Sequence, residues 1–518
     1  MGAILLSRIL GFFREWMVAH QIGSSAITDA YYAAFTLPDL LNNLVASGAL
    51  GLVFIPVIAK YMAEDREHEA WHVFCTVMTV MSLALVVLIV IGEIFAPQLV
   101  NVMVPGFDSA RKAQVIFLTR CMLPAQFFLY LGSLMGAFQN ARGKFLIPAL
   151  AAIIYNLGII GCGWLFSSRI GVTAFAIGLL LGTFCGFFLL QSLAISRMGR
   201  KFATNLDFSH PGFKLFVKLA IPLILALSID FTDSWIIRWF GSFLAPSSIT
   251  WLTFARTLML VPLSTVAYAI GTASFPFLAQ LHSEGKTEQL NHTLNATLRG
   301  LIVFLVPISA LGIVLREPII YFVFSHTRLH ATDSQATAAA LALFCIGLCG
   351  RGLQSLLSRG FNAMRDTITP AIIGTACTFA MFPLYGYCAR RWDYLGLAAA
   401  SSFGVTAYAG VLFAVLCRRT HNRNVVELIS CLARIVVSSL LVAPFCSWLA
   451  VWLAEFFPMQ TARGALAILL VVSAMGLPAI LLLARVLGVA EIETYWRKLT
   501  SWIPKRSLLT EDYAVTPE

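Results

Sequence analysis

Charged residues are scarce in this chain of 518 residues. Only 12% of the residues are charged and 59% are hydrophobic, whereas a soluble domain is about 25% charged and roughly 45–50% apolar. The mean hydropathy is +0.83. This composition excludes a water-soluble globule. Because one membrane span takes about 20 apolar residues, no room remains for a separate soluble enzyme domain.

Motifs for nucleotide binding and for serine hydrolysis are also missing. None of the eleven cysteines forms a CxxC pair, so the cysteines are predicted to be small buried hydrophobic residues. No P-loop or GxSxG motif lies at a predicted membrane surface. We therefore predict no cofactor and no enzyme activity, with a polytopic lipid-modifying enzyme as an open alternative.

Basic residues outnumber acidic ones, 36 to 25, which gives a formal net charge of +11. They are scattered between apolar runs and form no continuous stripe. This pattern is typical of membrane orientation signals and argues against nucleic acid as a partner. No cleavable signal peptide is predicted, because Arg8, Arg14 and Glu15 interrupt the first apolar segment.

The hydropathy pattern predicts an all-α polytopic membrane protein with about fourteen transmembrane helices. Several segments exceed the length of a span and contain proline or glycine, which predicts kinked or interrupted helices that line a cavity. Seventeen lysines and arginines fall in one set of loops and the tail, against seven in the other set, so both termini are predicted to be cytoplasmic. The predicted spans are residues 3–21, 27–61, 71–104, 113–141, 146–167, 170–195, 213–240, 247–281, 293–324, 334–363, 369–389, 395–417, 428–456 and 463–487.

An internal repeat at an offset of about 222 residues relates the two halves of the chain. Gln139-Asn140-Ala141 recurs as Phe361-Asn362-Ala363, and the Ile-Pro-Val-Ile-Ala run at 55–59 recurs as Phe-Pro-Phe-Leu-Ala at 275–279. Because six spans is an even number, the two copies are predicted to be parallel repeats, with the binding site between them. The predicted domains are a first lobe at 1–195, a linker at 196–212, a second lobe at 213–418, two further spans at 419–487 and a tail at 488–518.

Polar side chains form helical stripes inside three of the predicted spans. Arg8, Arg14 and Glu15 share about a third of the circumference of the first span. Asp29 and Asp39 belong to one stripe in the second span, and Arg256 belongs to a stripe in the eighth. An arginine at the bilayer centre costs about 2.5–3.5 kcal/mol, so these residues predict a water-filled, positively charged chamber. The alternative is that the arginines snorkel or pair with nearby acids as structural ion pairs.

An ordered series of motifs resembles the signature of the MurJ/MviN lipid II flippases. The series continues through Phe254-Ala255-Arg256 and Arg359-Gly360-Phe361 to Thr369-Pro370, and it covers nearly the whole chain. The resemblance implies the multidrug/oligosaccharidyl-lipid/polysaccharide exporter fold, with two six-helix lobes around a central cavity and two C-terminal helices that form a lipid-tail groove. The opening motifs are Ser7-Arg8-Ile9-Leu10-Gly11-Phe12-Phe13-Arg14-Glu15, Thr28-Asp29-Ala30-Tyr31-Tyr32-Ala33-Ala34-Phe35, Leu37-Pro38, Gly48-Ala49 and Phe54-Ile55-Pro56-Val57.

The resemblance also implies which residues line the substrate cavity. Two departures weaken a cation site: Asn42-Asn43 stands where the family usually has two arginines, and Ser47 stands where it usually has a glutamate. The family's substrate-cavity residues fall on Ser7, Arg8, Arg14, Asp29 and Arg256.

The predicted function is that of a flippase in the bacterial inner membrane. It moves lipid II, the undecaprenyl-pyrophosphate-linked disaccharide peptide, from the cytoplasmic to the outer leaflet by alternating access. Arg8, Arg14 and Arg256 are expected to bind pyrophosphate and carboxylate groups. The expected partners are lipid II, membrane lipids and the cell-wall synthesis machinery. A flippase or exporter of another lipid-linked glycan or a drug, and a membrane scaffold without transport, remain alternatives.

Asp230 and Asp233 are three residues apart in the seventh predicted span and therefore lie on one helix face. Two carboxylates in a bilayer require a cation, a proton or a partner such as Arg238. The resemblance adds that some family members bind sodium in the second lobe with an acid from this helix, and Ser401 and Ser402 offer further oxygens. Ion coupling and pairing with Arg238 both stay open.

Overall fold

A computed structural model describes residues 2–45, 54–199, 202–422, 425–489 and 491–493. All regular secondary structure in these ranges is helical, which confirms the predicted all-α class. The second predicted span is interrupted at Phe35, close to Pro38, and its residues 46–53 lie outside the described ranges. The helices of the first half are α1 (Gly2–Gln21), α2 (Ala26–Ala34), α3 (Thr36–Val45), α4 (Ile55–Ala63), α5 (Glu67–Ile94), α6 (Ala96–Met103), α7 (Ser109–Ala141), α8 (Leu146–Ile170), α9 (Thr173–Gly182), a π-helical stretch (Thr183–Leu189) and α10 (Leu190–Ser196).

The second half contains the longest helices of the chain. The backbone of α17 is non-helical at Trp392 and Asp393, so its two arms correspond to the eleventh and twelfth predicted spans. The helices of the second half are α11 (Pro211–Gly241), α12 (Ser248–Ser283), α13 (Thr287–Val314), α14 (Arg316–Phe324), α15 (Ala331–Ile346), α16 (Leu348–Ala363), α17 (Ile368–Thr420), α18 (Val425–Phe456) and α19 (Ala462–Val486).

Membrane-crossing helices dominate the described part of the chain. Nine helices there are long and apolar enough to cross a bilayer, or ten if α15 and α16, which meet at a 45° bend, form one span. The first helix, α1, is outside this set and carries Arg8, Arg14 and Glu15. Each of the fourteen predicted segments contains helix, while the count of fourteen spans stays a prediction.

Packing separates the helices into two groups that follow the two halves of the sequence. We call α1–α10 the first lobe and α11–α17 the second lobe. In the first lobe α8 packs against α1 and α9, and in the second lobe α12 packs against α13, α15 and α16. The last two helices lie outside the second lobe, where α18 packs on α13 and α19 packs on α14.

The two ends of the bundle carry different connections. We call them the inner face, where α1 begins, and the outer face, where α1 ends, after the orientation predicted from the basic loops. On the inner face the connection from α10 to α11 lies against α5: His72 is 3.2 Å from Asp207, and Phe202 packs on Trp71. Hydrogen bonds from Ser209 and His72 lower the pKa of Asp207 to about 2.

Direct contacts join the two lobes on the outer face. The ring Nδ1 of His20 lies 2.7 Å from the carbonyl oxygen of His326, which follows α14. The N–H of Gly106 donates to Ser242 Oγ at 3.1 Å, and a Cβ on Gly106 would come within 2.5 Å of the Ser242 carbonyl oxygen. Glycine is therefore required at this crossing, and the outer face of the bundle is closed in this structure.

Candidate functional site

A cavity of about 1130 Å³ lies between the lobes. Its walls come from α1 of the first lobe and from α12, α13, α14 and α15 of the second, and α19 adds Leu469, Ser473 and Leu477. Most of the lining is apolar, while Arg8 and Arg14 project from α1. A cavity of this size exceeds the range of about 300–1,000 Å³ that is usual for small-molecule sites. It combines an apolar wall with two cations inside a membrane protein.

Arg8 forms a direct contact between α1 and α12. Its Nη1 donates to the backbone carbonyl oxygen of Ser264 at 2.7 Å, across the boundary between the lobes. The backbone carbonyl oxygen of Ser7, the residue before Arg8, accepts a hydrogen bond from the side chain of Asn156 of α8 at 3.4 Å. A charged guanidinium that contacts a neutral carbonyl remains a strong donor for a phosphate or carboxylate.

Arg14 is held by its neighbour on α1. The guanidinium donates to Glu15 Oε1 through Nη2 at 2.7 Å and through Nε at 3.1 Å, and Tyr32 of α2 donates to Glu15 Oε2 at 2.7 Å. The charge of Arg14 is thus compensated by Glu15. A ligand that binds Arg14 has to compete with Glu15, which favours ligands with more than one negative charge.

Asp29 has a different environment from these arginines. The carboxylate is buried and accepts hydrogen bonds from the backbone N–H groups of Ser247 and Thr250 at 2.6 and 2.8 Å and from the Thr250 hydroxyl at 2.6 Å. These groups surround the N-terminus of α12, where free N–H groups and the helix dipole favour an anion. An acid of the first lobe therefore caps a helix of the second lobe on the outer face.

Replacing Asp29 with alanine is expected to weaken the closure of the outer face. Loss of a helix cap costs about 1–2 kcal/mol, and every 1.4 kcal/mol changes an equilibrium about tenfold. The measurement is maleimide labelling of a cysteine placed at the buried Ser242 position in a purified, otherwise cysteine-free protein. Labelling of the Asp29→Ala protein should be about tenfold faster.

A matched control for this experiment is Asp108→Ala. Asp108 caps α7 by accepting from the N–H of Arg111 at 2.7 Å, and both residues belong to the first lobe. Loss of this cap leaves the contacts between lobes intact, so labelling at position 242 should stay at the native rate. Equal labelling rates in the two variants would rule out the capping role of Asp29 in closure.

Arg256 belongs to a second polar cluster, inside the second lobe. Its Nη1 is 3.1 Å from Asp233 Oδ2, and Arg351 of α16 contacts the same oxygen at 2.7 Å. Tyr385 and Ser401, both on α17, donate to Asp233 Oδ1 at 2.5 and 3.0 Å. The carboxylate thus links α11, α12, α16 and α17. Arg256 and Asp233 lie in this cluster and not in the lining of the large cavity.

The expected pairing of Asp233 with Arg238 is replaced by other contacts. Five residues on a helix turn through about 140° beyond a full turn, so Arg238 and Asp233 point in different directions. Arg238 reaches the first lobe, where its Nη1 contacts Asp39 at 3.1 Å and Thr36 at 3.3 Å. The side chain of Asp230 lies outside the described residues, and so does Ser47.

The structure therefore brings together only part of the predicted site. Arg8 and Arg14 line the cavity between the lobes, while Ser7, Asp29 and Arg256 lie outside its lining. Sequence reasoning did not find Arg351 as a functional candidate, and it considered Glu15 as a member of the stripe on the first span and as a structural ion-pair partner for the arginines, which is the contact that Arg14 makes. The signal for Arg351 was present, because an arginine in an apolar segment of a membrane protein requires a partner.

Comparison with known proteins provides the decisive observation. A family model described as "Lipid II flippase MurJ" matches residues 18–472. The chain belongs to this family. The predicted resemblance is thereby confirmed, and so is the prediction of a transporter instead of an enzyme, since the family is one of flippases.

Relatives in the family match over most of their length. The "Lipid II flippase MurJ" of Burkholderia cenocepacia is 27% identical over 466 residues, which cover 87% of this chain and 89% of that protein. The "Probable lipid II flippase MurJ" of Vibrio cholerae is 26% identical over 437 residues, which cover 82% of each chain.

Solved structures confirm the fold. A structure described as "Lipid II flippase MurJ, inward closed conformation" matches 96% of this chain and 98% of its own, with a TM-score of 0.75 and 23% sequence identity. An inward-facing multidrug resistance MATE family transporter of the MOP superfamily matches 80% of this chain and 94% of its own, with a TM-score of 0.67 and 15% identity. The exporter fold predicted for this family is therefore the fold of this chain.

Proposed function

We propose that the protein moves lipid II from the cytoplasmic to the outer leaflet of the bacterial inner membrane, beside the cell-wall synthesis machinery that consumes this precursor. The observation that carries the proposal is the cavity between the lobes, with Arg8 and Arg14 on one wall and apolar side chains on the others. This combination fits an amphiphile with a pyrophosphate group. Membership of the lipid II flippase family supports the same substrate.

The two arginines of α1 provide exchangeable partners for the polar head. In this structure Arg8 contacts a carbonyl oxygen and Arg14 contacts Glu15. Phosphate oxygens accept stronger, bidentate hydrogen bonds from guanidinium groups than a carbonyl does. When a pyrophosphate binds Arg8 in place of the Ser264 carbonyl oxygen, a hydrogen bond between α1 and α12 is lost. Binding of the head therefore changes a contact between the two lobes.

Alternating access then requires the lobes to separate on the outer face. The contacts that hold this face closed include the Asp29 cap on α12, the Gly106–Ser242 hydrogen bond and the packing of Tyr32 on Phe254. Outward movement of an anion is favoured by an inside-negative potential by about 2.3 kcal/mol per charge per 100 mV. No nucleotide site is needed for such a cycle.

The lipid tail is proposed to follow α19. Leu469, Ser473 and Leu477 of this helix line the cavity, while Leu470 and Leu482 of the same helix are exposed on the surface of the bundle. A polyprenyl chain along α18 and α19 would remain in an apolar environment while its head enters the cavity. With this assignment the predicted segment 419–487 has a role in binding the lipid tail. The proposal keeps the predicted linker and both termini on the cytoplasmic side, as the distribution of basic residues in the loops predicts.

A flippase for another lipid-linked glycan is the second candidate. It is favoured by the Asn42-Asn43 pair at the position where the family resemblance implies two arginines. The Asn43 side chain donates to the backbone carbonyl oxygen of Asp39 at 2.9 Å, within α3. The cavity therefore has fewer cations for the head than the resemblance implies, and a head with fewer negative charges would fit it.

Depletion of the protein in a bacterial strain without another lipid II flippase tests the proposal. Labelled lipid II is expected to accumulate in the cytoplasmic leaflet, and cell-wall synthesis should stop for lack of precursor outside. An unchanged distribution between leaflets would remove lipid II as the substrate. Accumulation of a different lipid-linked glycan in the inner leaflet would identify the second candidate.

A further inference from the structure

A second cavity, of about 470 Å³, lies at the inner face of the second lobe, between the ends of α12 and α16. Phe275 and Ala279 of α12 form its apolar wall, and His282, Asn362 and Arg365 provide polar side chains. It lies on the stripe of α12 that also lines the large cavity, because Thr272 is one turn from Phe275. This second cavity is far from the arginines of α1. Arg8 contacts Ser264, and the 18 helical residues from Ser264 to His282 span about 27 Å.

Arg365 has a backbone conformation that side chains rarely adopt. Its φ angle is 60°, in the left-handed region that favours glycine. The repeat offset of about 222 residues places it opposite Gly143 of the first lobe, whose φ angle is 72°. The same turn is thus built with glycine in one lobe and with arginine in the other. Strained residues of this kind are found preferentially at functional sites.

The charges around this cavity leave Arg365 uncompensated. Asp366 forms an ion pair with Arg419, and Glu284 forms an ion pair with Lys286 at 2.8 Å. Within the described ranges, the side chains of His282, Asn362 and Arg365 have no hydrogen-bond or ion-pair partner. Three polar groups with free donors therefore converge on one opening.

The apolar side of this cavity is open at its edge. Phe275, which forms the wall together with Ala279, is 37% exposed. The opening thus lies where an apolar helix surface meets polar groups at the end of the helix. A ligand suited to it has an anionic group for Arg365 and a hydrocarbon part for Phe275, which describes a membrane lipid.

We propose that His282, Asn362 and Arg365 bind the phosphate group of a lipid headgroup at the inner face of the second lobe. Arg365 supplies the charge, the Asn362 amide and the His282 ring supply further hydrogen bonds, and Phe275 and Ala279 contact the chain of the lipid. The site holds its ligand independently of the cavity between the lobes, and the left-handed turn at Arg365 positions the guanidinium over the opening.

The test measures thermal unfolding of the full-length protein in detergent with added phosphatidylglycerol, phosphatidylcholine, undecaprenyl phosphate or inorganic phosphate. The informative variant is Arg365→Gly, which keeps the left-handed turn and removes the guanidinium. Without lipid, this variant should melt at the same or a higher temperature than the native protein, because glycine relieves the strained φ angle. The concentration of anionic lipid that gives half-maximal stabilisation should be about tenfold higher for this variant than for the native protein.

Two further variants complete the design. Arg365→Lys keeps the charge and should recover part of the effect, and Arg418→Ala removes an exposed charge on the same face of the second lobe and should behave like the native protein. A stronger effect of undecaprenyl phosphate than of phosphatidylglycerol would identify the source of the headgroup as the polyprenyl lipid, and equal effects would identify anionic lipid in general.

Three results would overturn the proposal. One is equal lipid stabilisation of the native and Arg365→Gly proteins, and another is equal stabilisation by phosphatidylcholine and the anionic lipids. The third is full stabilisation by inorganic phosphate alone, which would show that the site binds a phosphate ion and not a lipid. Because the readout is binding and not translocation, the outcome does not depend on which lipid the cavity between the lobes transports.

Discussion

The Arg14→Ala protein is expected to insert into the membrane and to lose translocation of lipid II. Arg14 lies in the lining of the cavity, and among the described residues it forms an ion pair with its own neighbour Glu15, so its guanidinium serves the ligand more than the packing of helices. Loss of a hydrogen-bonded charge on the ligand costs about 1.5–3 kcal/mol, or roughly ten- to hundredfold in affinity. The measurement is growth of cells in which the variant is the sole flippase, together with its amount in the membrane.

Two variants make this result specific. Arg14→Lys should recover only part of the activity, because an ammonium group cannot form the bidentate contacts of a guanidinium. Arg120→Ala is the matched control: Arg120 lies in α7 and donates to the carbonyl oxygen of Glu93 at the surface of the first lobe, away from the cavity. Growth of the Arg14→Ala strain at the native rate would show that this arginine does not bind the substrate.

The Asp233→Asn protein is expected to be much less stable than the native protein. The substitution leaves Arg256 and Arg351 close together without their shared counter-ion, and breaking a buried pair in this way costs about 3–5 kcal/mol. Unfolding of the purified protein in detergent measures the loss. The double variant Asp233→Asn/Arg351→Gln should regain part of the stability, since one unpaired charge is removed. Glu427→Gln, at an exposed ion pair with Arg299, is the control and should change little.

Sodium dependence separates this structural role from ion coupling. A sodium ion at Asp233 would need several free oxygen ligands, yet both carboxylate oxygens already accept hydrogen bonds from arginine, tyrosine and serine side chains. Translocation by the native protein in proteoliposomes should therefore be the same in sodium and in potassium salts. A sodium requirement that disappears in the Asp233→Asn protein would contradict this role and establish coupling.

The helical segments could be predicted from sequence because hydropathy and length determine what a bilayer accepts. All fourteen predicted segments contain helix in the described part of the chain. The second segment is interrupted at Phe35, close to Pro38, whereas the eighth is one continuous helix, α12, that includes Pro262 and Pro276. The cavity position of Arg8 and Arg14 also followed from helical periodicity, because a single unbroken helix keeps its polar side chains on one face.

The positions of Asp29 and Asp39 could not be predicted in the same way. Their common stripe assumed one continuous helix, whereas Phe35 separates α2 from α3. Asp29 therefore caps α12, and Asp39 contacts Arg238 of α11. Periodicity within a segment shows which residues share a face, and it does not show which helix of the other lobe lies opposite. For the same reason the pairing of Arg256 and Arg351 with Asp233 required the tertiary structure.

The most direct test of the central claim is translocation by the purified protein in liposomes. Fluorescent lipid II is placed in one leaflet, and its appearance in the other is followed by quenching with an impermeant reagent. The account predicts rapid exchange with the native protein, exchange at the level of empty liposomes with Arg14→Ala, and unchanged exchange with Arg120→Ala. Equal exchange in the native and Arg14→Ala liposomes would contradict the assignment of the cavity between the lobes as the path of the lipid II head.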